Sequence, residues 1–96
     1  MPVMALRNFN CILCSKSFEK MTPDFIVPEP DLCDDCLREV WEMDGDDLTA
    51  YVAERLPEDT SFSVEKVVQH TQMIQQNSGS AEQAIEDRKA WPKGFG

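Results

Sequence analysis

Four cysteines are the residues whose type and spacing point most directly to chemistry. They form two C-x2-C pairs, Cys11–Cys14 and Cys33–Cys36, with 18 residues between the pairs. Two intervening residues let both sulfurs of a pair reach one ion at about 2.3 Å, in a turn or at the start of a helix. Four thiolates around one ion leave no position for water or substrate, so the pattern predicts a structural metal centre. Zinc is the commoner occupant of this spacing, although four thiolates also suit iron.

Two alternatives to a metal centre are redox-active cysteine pairs and unrelated buried thiols. A thioredoxin-like pair needs a βαβ setting, which this sequence does not predict. Residues 1–7 lack the apolar core of a secretory signal and no apolar run could span a membrane, so we expect a cytoplasmic protein with reduced thiols and no membrane partner. The expected cofactor is one structural Zn²⁺ per chain, which contributes on the order of 10 kcal/mol or more to folding.

The other polar residues do not form a catalytic set. His70 is the single histidine and lies off the apolar stripe of its helix, two positions beyond Val68, so we expect it on the surface. No cysteine is left to pair with it, and no serine elbow is present. A calcium loop around Asp44–Asp47 would need ligands at Val40 and Tyr51, which cannot serve. The sequence therefore predicts a protein that is not an enzyme.

The negative charge is concentrated in the middle of the chain. The formal net charge is −9, whereas residues 24–59 alone hold thirteen acidic and two basic residues, a net of −11. This surplus argues against nucleic acid or an anionic membrane as partner, because such binding needs Lys and Arg to displace counterions. Two interpretations stay open, a solvated face that keeps the protein soluble and a face that selects a basic protein partner. The residues predicted for such a face are Asp34, Asp35, Glu39, Glu42, Asp46 and Asp47.

Two aromatic residues near the C-terminus allow two interpretations. Trp91 and Phe95 flank Pro92 and Gly94. They either fold back over an apolar surface or form a short docking peptide that gives a partner a second contact.

The first helices are predicted around the second cysteine pair. Cys33, Cys36, Leu37, Val40 and Trp41 recur at helical spacing, which predicts a helix that begins at this pair. Asp31 is its expected cap. The sequence Asp44-Gly45-Asp46-Asp47 then either bends one long helix or separates two, and we favour two helices. The apolar stripe of the second runs from Leu48 to Leu56, before Pro57.

Two further helices are predicted downstream. Ser63 is the expected cap of a helix over 64–76, which would bury Val64, Val67, Val68 and Ile74. Ser80 followed by Gln83 is a capping pattern for a short fourth helix that ends before residue 91. Earlier in the chain, residues 25–27 predict one short strand.

These elements predict a small α+β fold within one domain. A four-cysteine zinc module with the first helix occupies residues 1–44, a helical region follows over residues 45–92, and residues 93–96 form a tail. A chain of 96 residues builds only a thin core, so a metal is expected to stabilise it.

The cysteine module resembles the zinc-binding domain of the ClpX unfoldase over residues 11–43. The shared features are the C-x2-C-x18-C-x2-C spacing, Lys16-Ser17 after the first pair and an acidic pair inside the second. This resemblance implies a treble clef, in which a zinc knuckle and a hairpin precede a helix that carries the last two ligands. Members of that family use the domain to dimerise and to dock adaptors or substrates. At Ser15 the family usually has a glycine, which eases a left-handed turn.

The layout as a whole is also similar to small zinc-ribbon regulators from bacterial flagellar operons. In that comparison residues 63–91 would form a helix-turn-helix, although Arg88 and Lys89 lie late in the second helix, whereas base readout usually comes from its N-terminal end. An ordinary helical hairpin packed on the zinc module is the favoured interpretation. We therefore expect a non-enzymatic adaptor or inhibitor that binds a basic protein through its acidic helical face. An inhibitor of this kind would mimic nucleic acid. A DNA-binding regulator is the alternative, and a homodimer stays open.

Overall fold

A β-hairpin opens the described part of the chain, which in this computed structural model comprises residues 5–22 and 29–90. Strand β1 (Ala5–Asn10) pairs antiparallel with β2 (Ser17–Thr22), and Phe9 lies opposite Phe18 in the register. Half-buried and exposed residues alternate along β1, as expected for a strand with one covered face. The loop that joins the strands contains the first cysteine pair.

This hairpin is the element that the residue pattern did not predict. Its strands read ALRNFN and SFEKMT, and neither has the run of β-branched residues that usually indicates a strand. The predicted strand at residues 25–27 lies outside the described residues. The resemblance implied a hairpin after the knuckle, whereas the observed strands flank the knuckle.

Helix α1 (Asp34–Val40) begins at the second cysteine pair, as predicted. The prediction that Asp31 caps it is wrong, because Cys33 is the cap and the Asp31 side chain binds elsewhere. Helix α2 (Gly45–Arg55) is separate from α1, which confirms the two-helix prediction. Asp44 is the cap of this second helix. Its carboxylate accepts a hydrogen bond from the Asp47 backbone N–H at 2.9 Å, so a new helix starts here.

Helices α3 (Val64–Asn77) and α4 (Ala81–Lys89) start at the predicted caps. The Ser63 hydroxyl accepts from the Lys66 N–H at 3.2 Å, and the Ser80 hydroxyl accepts from the Gln83 N–H at 3.1 Å. The buried face of α3 differs from the prediction at three positions. Val64 and Ile74 are only half-buried, and Thr71 is fully buried, with its hydroxyl donating to the Val67 carbonyl at 2.9 Å.

One apolar core joins the hairpin and the helices into a small α+β fold. Helix α4 packs against both β2 and α1, and α3 packs against α2. The core contains three of the cysteines together with aliphatic residues, of which Leu32, Leu37, Val40, Leu48, Val52 and Val67 are almost wholly buried. Within residues 5–22 and 29–90, no helix has the length and apolar character needed to cross a membrane.

Candidate metal centre

The first cysteine pair lies in a tight turn at the tip of the hairpin. The Cys11 N–H donates to the Lys16 carbonyl at 2.8 Å, and the Ser15 N–H donates to the Cys11 carbonyl at 3.0 Å. Ser15 has a φ of 64°, the left-handed conformation that favours glycine. The Leu13 N–H points at the Cys11 sulfur at 3.4 Å. Backbone hydrogen bonds thus fix the positions of both sulfurs of this pair.

The second pair lies at the N-terminal end of α1. Cys33 is the cap residue, and its sulfur accepts from the Cys36 N–H at 3.5 Å. Cys36 is inside the first turn, so its backbone position is set by the helix. A hydrogen bond from the Ile12 N–H to the Asp31 carbonyl, at 3.2 Å, connects the turn of the first pair to the segment that precedes the second.

The four sulfurs lie within 4.8 Å of one another, close enough to bind a single ion. Cys14 and Cys33 have sulfurs 3.5 Å apart, and the Cys36 sulfur is 3.7 Å from those of both Cys11 and Cys14. A tetrahedron with metal–sulfur bonds of about 2.3 Å has edges of about 3.8 Å. Disulfides need sulfurs about 2.05 Å apart, and all four cysteines are free. The cluster can therefore hold a metal ion and contains no disulfide.

Burial of the cluster works against bare thiolates. Cys11, Cys33 and Cys36 are buried, and only Cys14 is exposed. Burial raises the pKa of the Cys33 and Cys36 thiols, because a thiolate loses its hydration there. A divalent ion reverses this preference, since its charge stabilises the thiolates that bind it. The residues present thus fit a thiophilic divalent metal in a closed, four-sulfur site.

The acidic residues predicted for a partner-binding face fall into two groups. Asp34 and Asp35 form ion pairs with bases of the same chain: Asp34 pairs with Arg88 and Lys89, and Asp35 pairs with Lys16 and Arg38. The Lys16 ammonium accordingly holds the pKa of Asp35 below its ordinary value. These two carboxylates therefore tie elements of the fold together.

The second group remains open to solvent. Glu42, Asp46 and Asp47 are exposed, and no basic side chain in the described ranges 5–22 and 29–90 forms an ion pair with them. Glu39 accepts a hydrogen bond from the Tyr51 hydroxyl at 3.1 Å. Burial, together with this carboxylate and the nearby Cys36 thiol, raises the pKa of Tyr51.

A shallow groove of about 410 Å³ runs between α1 and α2 on this open side. Three carboxylates border it, those of Glu39, Asp47 and Glu54, and its one base is Arg55. The Arg55 guanidinium stacks on the Tyr51 ring at 3.8 Å and pairs with Glu54 at 3.6 Å. We call this feature the acidic groove. Its remaining lining residues are Met43, Ala50 and Tyr51.

A second polar cluster was missed by the sequence analysis. The Asp31 side chain is 9% exposed and accepts from His70 Nε2 and Lys20 Nζ, both at 2.7 Å. Burial by itself raises the pKa of Asp31, but these hydrogen bonds more than offset it and leave the pKa below its ordinary value. Glu29 lies 3.5 Å from the same histidine nitrogen and 3.4 Å from the lysine.

His70 is half-buried, so the expectation of a surface position is met only in part. Its side chain is 21% exposed, and its imidazole is hydrogen-bonded to the Asp31 carboxylate. No periodic signal in the sequence marks this pairing, since its partners lie 39 residues or more away in the chain. The predicted contacts at Trp91 and Phe95 lie outside the described residues.

Comparisons with known proteins found no match. The chain matched no family model, no curated protein and no solved structure. No comparison thus supports the resemblance to the ClpX zinc-binding domain, and the structure shows only that the four cysteines lie close together.

Proposed function

We propose that this protein is a non-enzymatic adaptor or inhibitor, stabilised by one zinc ion, that binds a basic segment of a protein partner in the acidic groove. The observation that carries the proposal is the lining of that groove, where three carboxylates face one arginine. The zinc centre lies at the other end of α1 and supplies the structural framework.

Zinc is the proposed metal because the four sulfurs match its preferred geometry and ligand type. We propose a treble clef for the module, and a cysteine turn followed by two ligands at a helix start supports this proposal. When bound, zinc neutralises part of the thiolate charge and cross-links the hairpin to α1. Cys11, Cys14, Cys33 and Cys36 are its proposed ligands, and a closed site of this kind has a structural role.

The acidic groove suits the side chain of an arginine or a lysine. Arg55 already shows how a guanidinium is accommodated there, stacked on Tyr51 and paired with Glu54. Glu39 and Asp47 have no basic partner among the described residues, so an incoming cation can pair with them. The surrounding surplus of exposed carboxylates would accelerate the encounter with a basic surface.

The DNA-binding alternative receives little support from the basic residues near the end of α4. Arg88 is 11% exposed and donates to the Leu32 carbonyl at 2.6 Å, and it pairs with Asp34. Lys89 lies 3.7 Å from the same aspartate. Arg38, on α1, pairs with Glu82. These bases are occupied by carboxylates of the chain itself, so they are poorly placed to bind phosphates.

The test is binding of a fluorescein-labelled arginine-rich peptide, followed by anisotropy at low and at high salt. A groove variant combines Glu39→Gln, Asp47→Asn and Glu54→Gln. A control variant makes the same change in charge at exposed residues elsewhere, with Glu19→Gln, Glu65→Gln and Glu86→Gln. We expect binding to weaken at least about tenfold in the groove variant, because each lost ion pair contributes about 0.5–1 kcal/mol.

The control variant should bind the peptide almost as tightly as the wild type. Equal affinity of the two variants would contradict a specific groove and leave only nonspecific attraction. A labelled DNA duplex in the same assay separates the alternative function, since retention of the duplex with loss of the peptide would favour the DNA-binding regulator. Trp91 and Phe95 stay predicted as a second contact, to be tested by removing residues 91–96.

A further inference from the structure

The segment that carries Cys33 is positioned by side chains from the helical region. The other three cysteines are placed by local backbone structure, since Cys11 and Cys14 lie in the hydrogen-bonded turn and Cys36 lies inside α1. Cys33 differs, because it precedes the helix and follows residues in no regular element. Its sulfur accepts from the Cys36 N–H, but the residues that lead up to it are outside any helix or strand, so their conformation depends on contacts with other segments.

Two contacts hold the residues just before Cys33. Asp31 is held by the His70 imidazole of α3 on one carboxylate oxygen and by the Lys20 ammonium of β2 on the other, both at 2.7 Å. The same residue also accepts, through its backbone carbonyl, the Ile12 N–H from the turn of the first pair. Asp31 therefore links α3 to both halves of the cysteine cluster.

A third contact comes from α4. The Arg88 guanidinium donates to the Leu32 carbonyl at 2.6 Å and pairs with the Asp34 carboxylate, so it spans Cys33 from one side to the other. The same guanidinium stacks on the Phe18 ring of β2 at 4.2 Å, and its side chain is 11% exposed. These contacts leave the Arg88 side chain little freedom to move.

We propose that His70 and Arg88 are positioning residues of the metal centre, which hold residues 31–34 in the conformation that Cys33 needs to bind zinc. This inference rests on the proposed zinc site and extends it to the helical region. Without the two side chains, zinc itself would have to order this segment, and the lost conformational entropy would be subtracted from its binding free energy. By linkage, bound zinc strengthens the attachment of α3 and α4 by the same factor.

Zinc affinity, measured by competition with a chromophoric chelator under reducing conditions, tests the proposal. His70→Ala and Arg88→Ala should each weaken zinc binding about 10- to 100-fold, the usual effect of removing a group that orients a metal ligand. His70→Gln keeps a side-chain N–H donor and should bind within a few-fold of the wild type. Arg88→Lys keeps one of the two contacts and should lie between the alanine variant and the wild type.

A second variant separates positioning from general stability. Val67→Ala removes buried apolar surface from α3 but leaves the hydrogen bonds of His70 and Arg88 in place. We expect it to lower the melting temperature more than His70→Ala and to change zinc affinity less. The cobalt-loaded proteins give an independent readout, because His70→Ala should need more cobalt to reach the same tetrathiolate absorption spectrum.

The outcomes are distinguishable. If Val67→Ala weakens zinc binding as much as His70→Ala does, or if His70→Ala binds zinc as tightly as the wild type, the positioning role is wrong. Should either alanine variant fail to fold, His70→Gln and Arg88→Lys still test the ranking. A wild-type protein that binds no zinc would contradict the zinc site itself, whereas equal zinc affinity in every variant would contradict only the positioning role.

Discussion

The cysteine-bearing part of the chain and the helical part that follows it are stabilised in different ways. Residues 5–22 and 29–40 form a two-stranded hairpin and a helix of seven residues, and three of their buried residues are cysteines. A lone hairpin and a helix this short are marginal in water. Residues 45–90 form three capped helices with an aliphatic core. From this comparison we expect the first region to depend on a metal held by the four cysteines and the second to depend on apolar burial.

Removal of the metal should produce the largest difference between the two regions. A chelator with a reductant removes on the order of 10 kcal/mol of folding free energy from the cysteine region. We expect the amides of β1, β2 and α1 to lose most of their protection in hydrogen–deuterium exchange, while those of α2 and α3 keep a larger part. Equal loss of protection in both regions would show that the comparison is wrong.

A core substitution in the helical region should lower stability without removing the metal. Leu48 is fully buried, and Leu48→Ala is expected to cost about 2–5 kcal/mol in denaturant unfolding of the metal-loaded protein. Its metal content should stay at one ion per chain. Cys36→Ser is the matched change in the other region, and it should lose the metal. If the Leu48→Ala protein loses its metal while the Cys36→Ser protein retains it, the metal does not depend on the cysteine region and the comparison is wrong.

Removing the helix cap at Asp44, between the two regions, should lower the free energy of unfolding by a smaller amount. Asp44→Ala removes the carboxylate that accepts from the Asp47 N–H, so it should cost about 1 kcal/mol of unfolding free energy. Asp46→Ala is the control, because Asp46 lies in the same first turn, is exposed and caps nothing. Similar losses in the two variants would mean that charge near the helix end, and not the cap, separates α1 from α2.

The smallest expected effect is a gain in stability at the tip of the hairpin. Ser15 has a positive φ, which costs a residue with a Cβ about 1–2 kcal/mol and costs glycine almost nothing. Because glycine also loses more entropy on folding, Ser15→Gly should stabilise the metal-loaded protein by about 0.5–1 kcal/mol. Ser17→Gly, at the exposed start of β2, should be destabilising instead. A loss of stability in Ser15→Gly would contradict the left-handed turn.

Local signals in the sequence were enough to predict much of this fold. The cysteine spacing, the cap residues Ser63 and Ser80 and the apolar stripes act within a few residues, so a single sequence contains them. The two strands were missed because their residues have weak strand propensity and are ordered by the turn that they flank.

The polar contacts between distant segments could not be predicted. Asp31 looked like a helix cap, and His70 looked like a surface residue, because only the tertiary fold brings them together. For the same reason, only some of the acidic residues predicted for the partner-binding face are open to solvent without an ion pair. Sequence alone could not show that Asp34 and Asp35 pair within the protein whereas Glu42 and Asp46 stay open to solvent.

Native mass spectrometry of the full chain, purified under reducing conditions without added metal, tests the central claim most directly. The account predicts one zinc ion per chain, four thiols that resist alkylation in the native state, and four that react once a chelator is added. Thiols that alkylate readily in a metal-free native protein, or two disulfides in place of the metal, would contradict it.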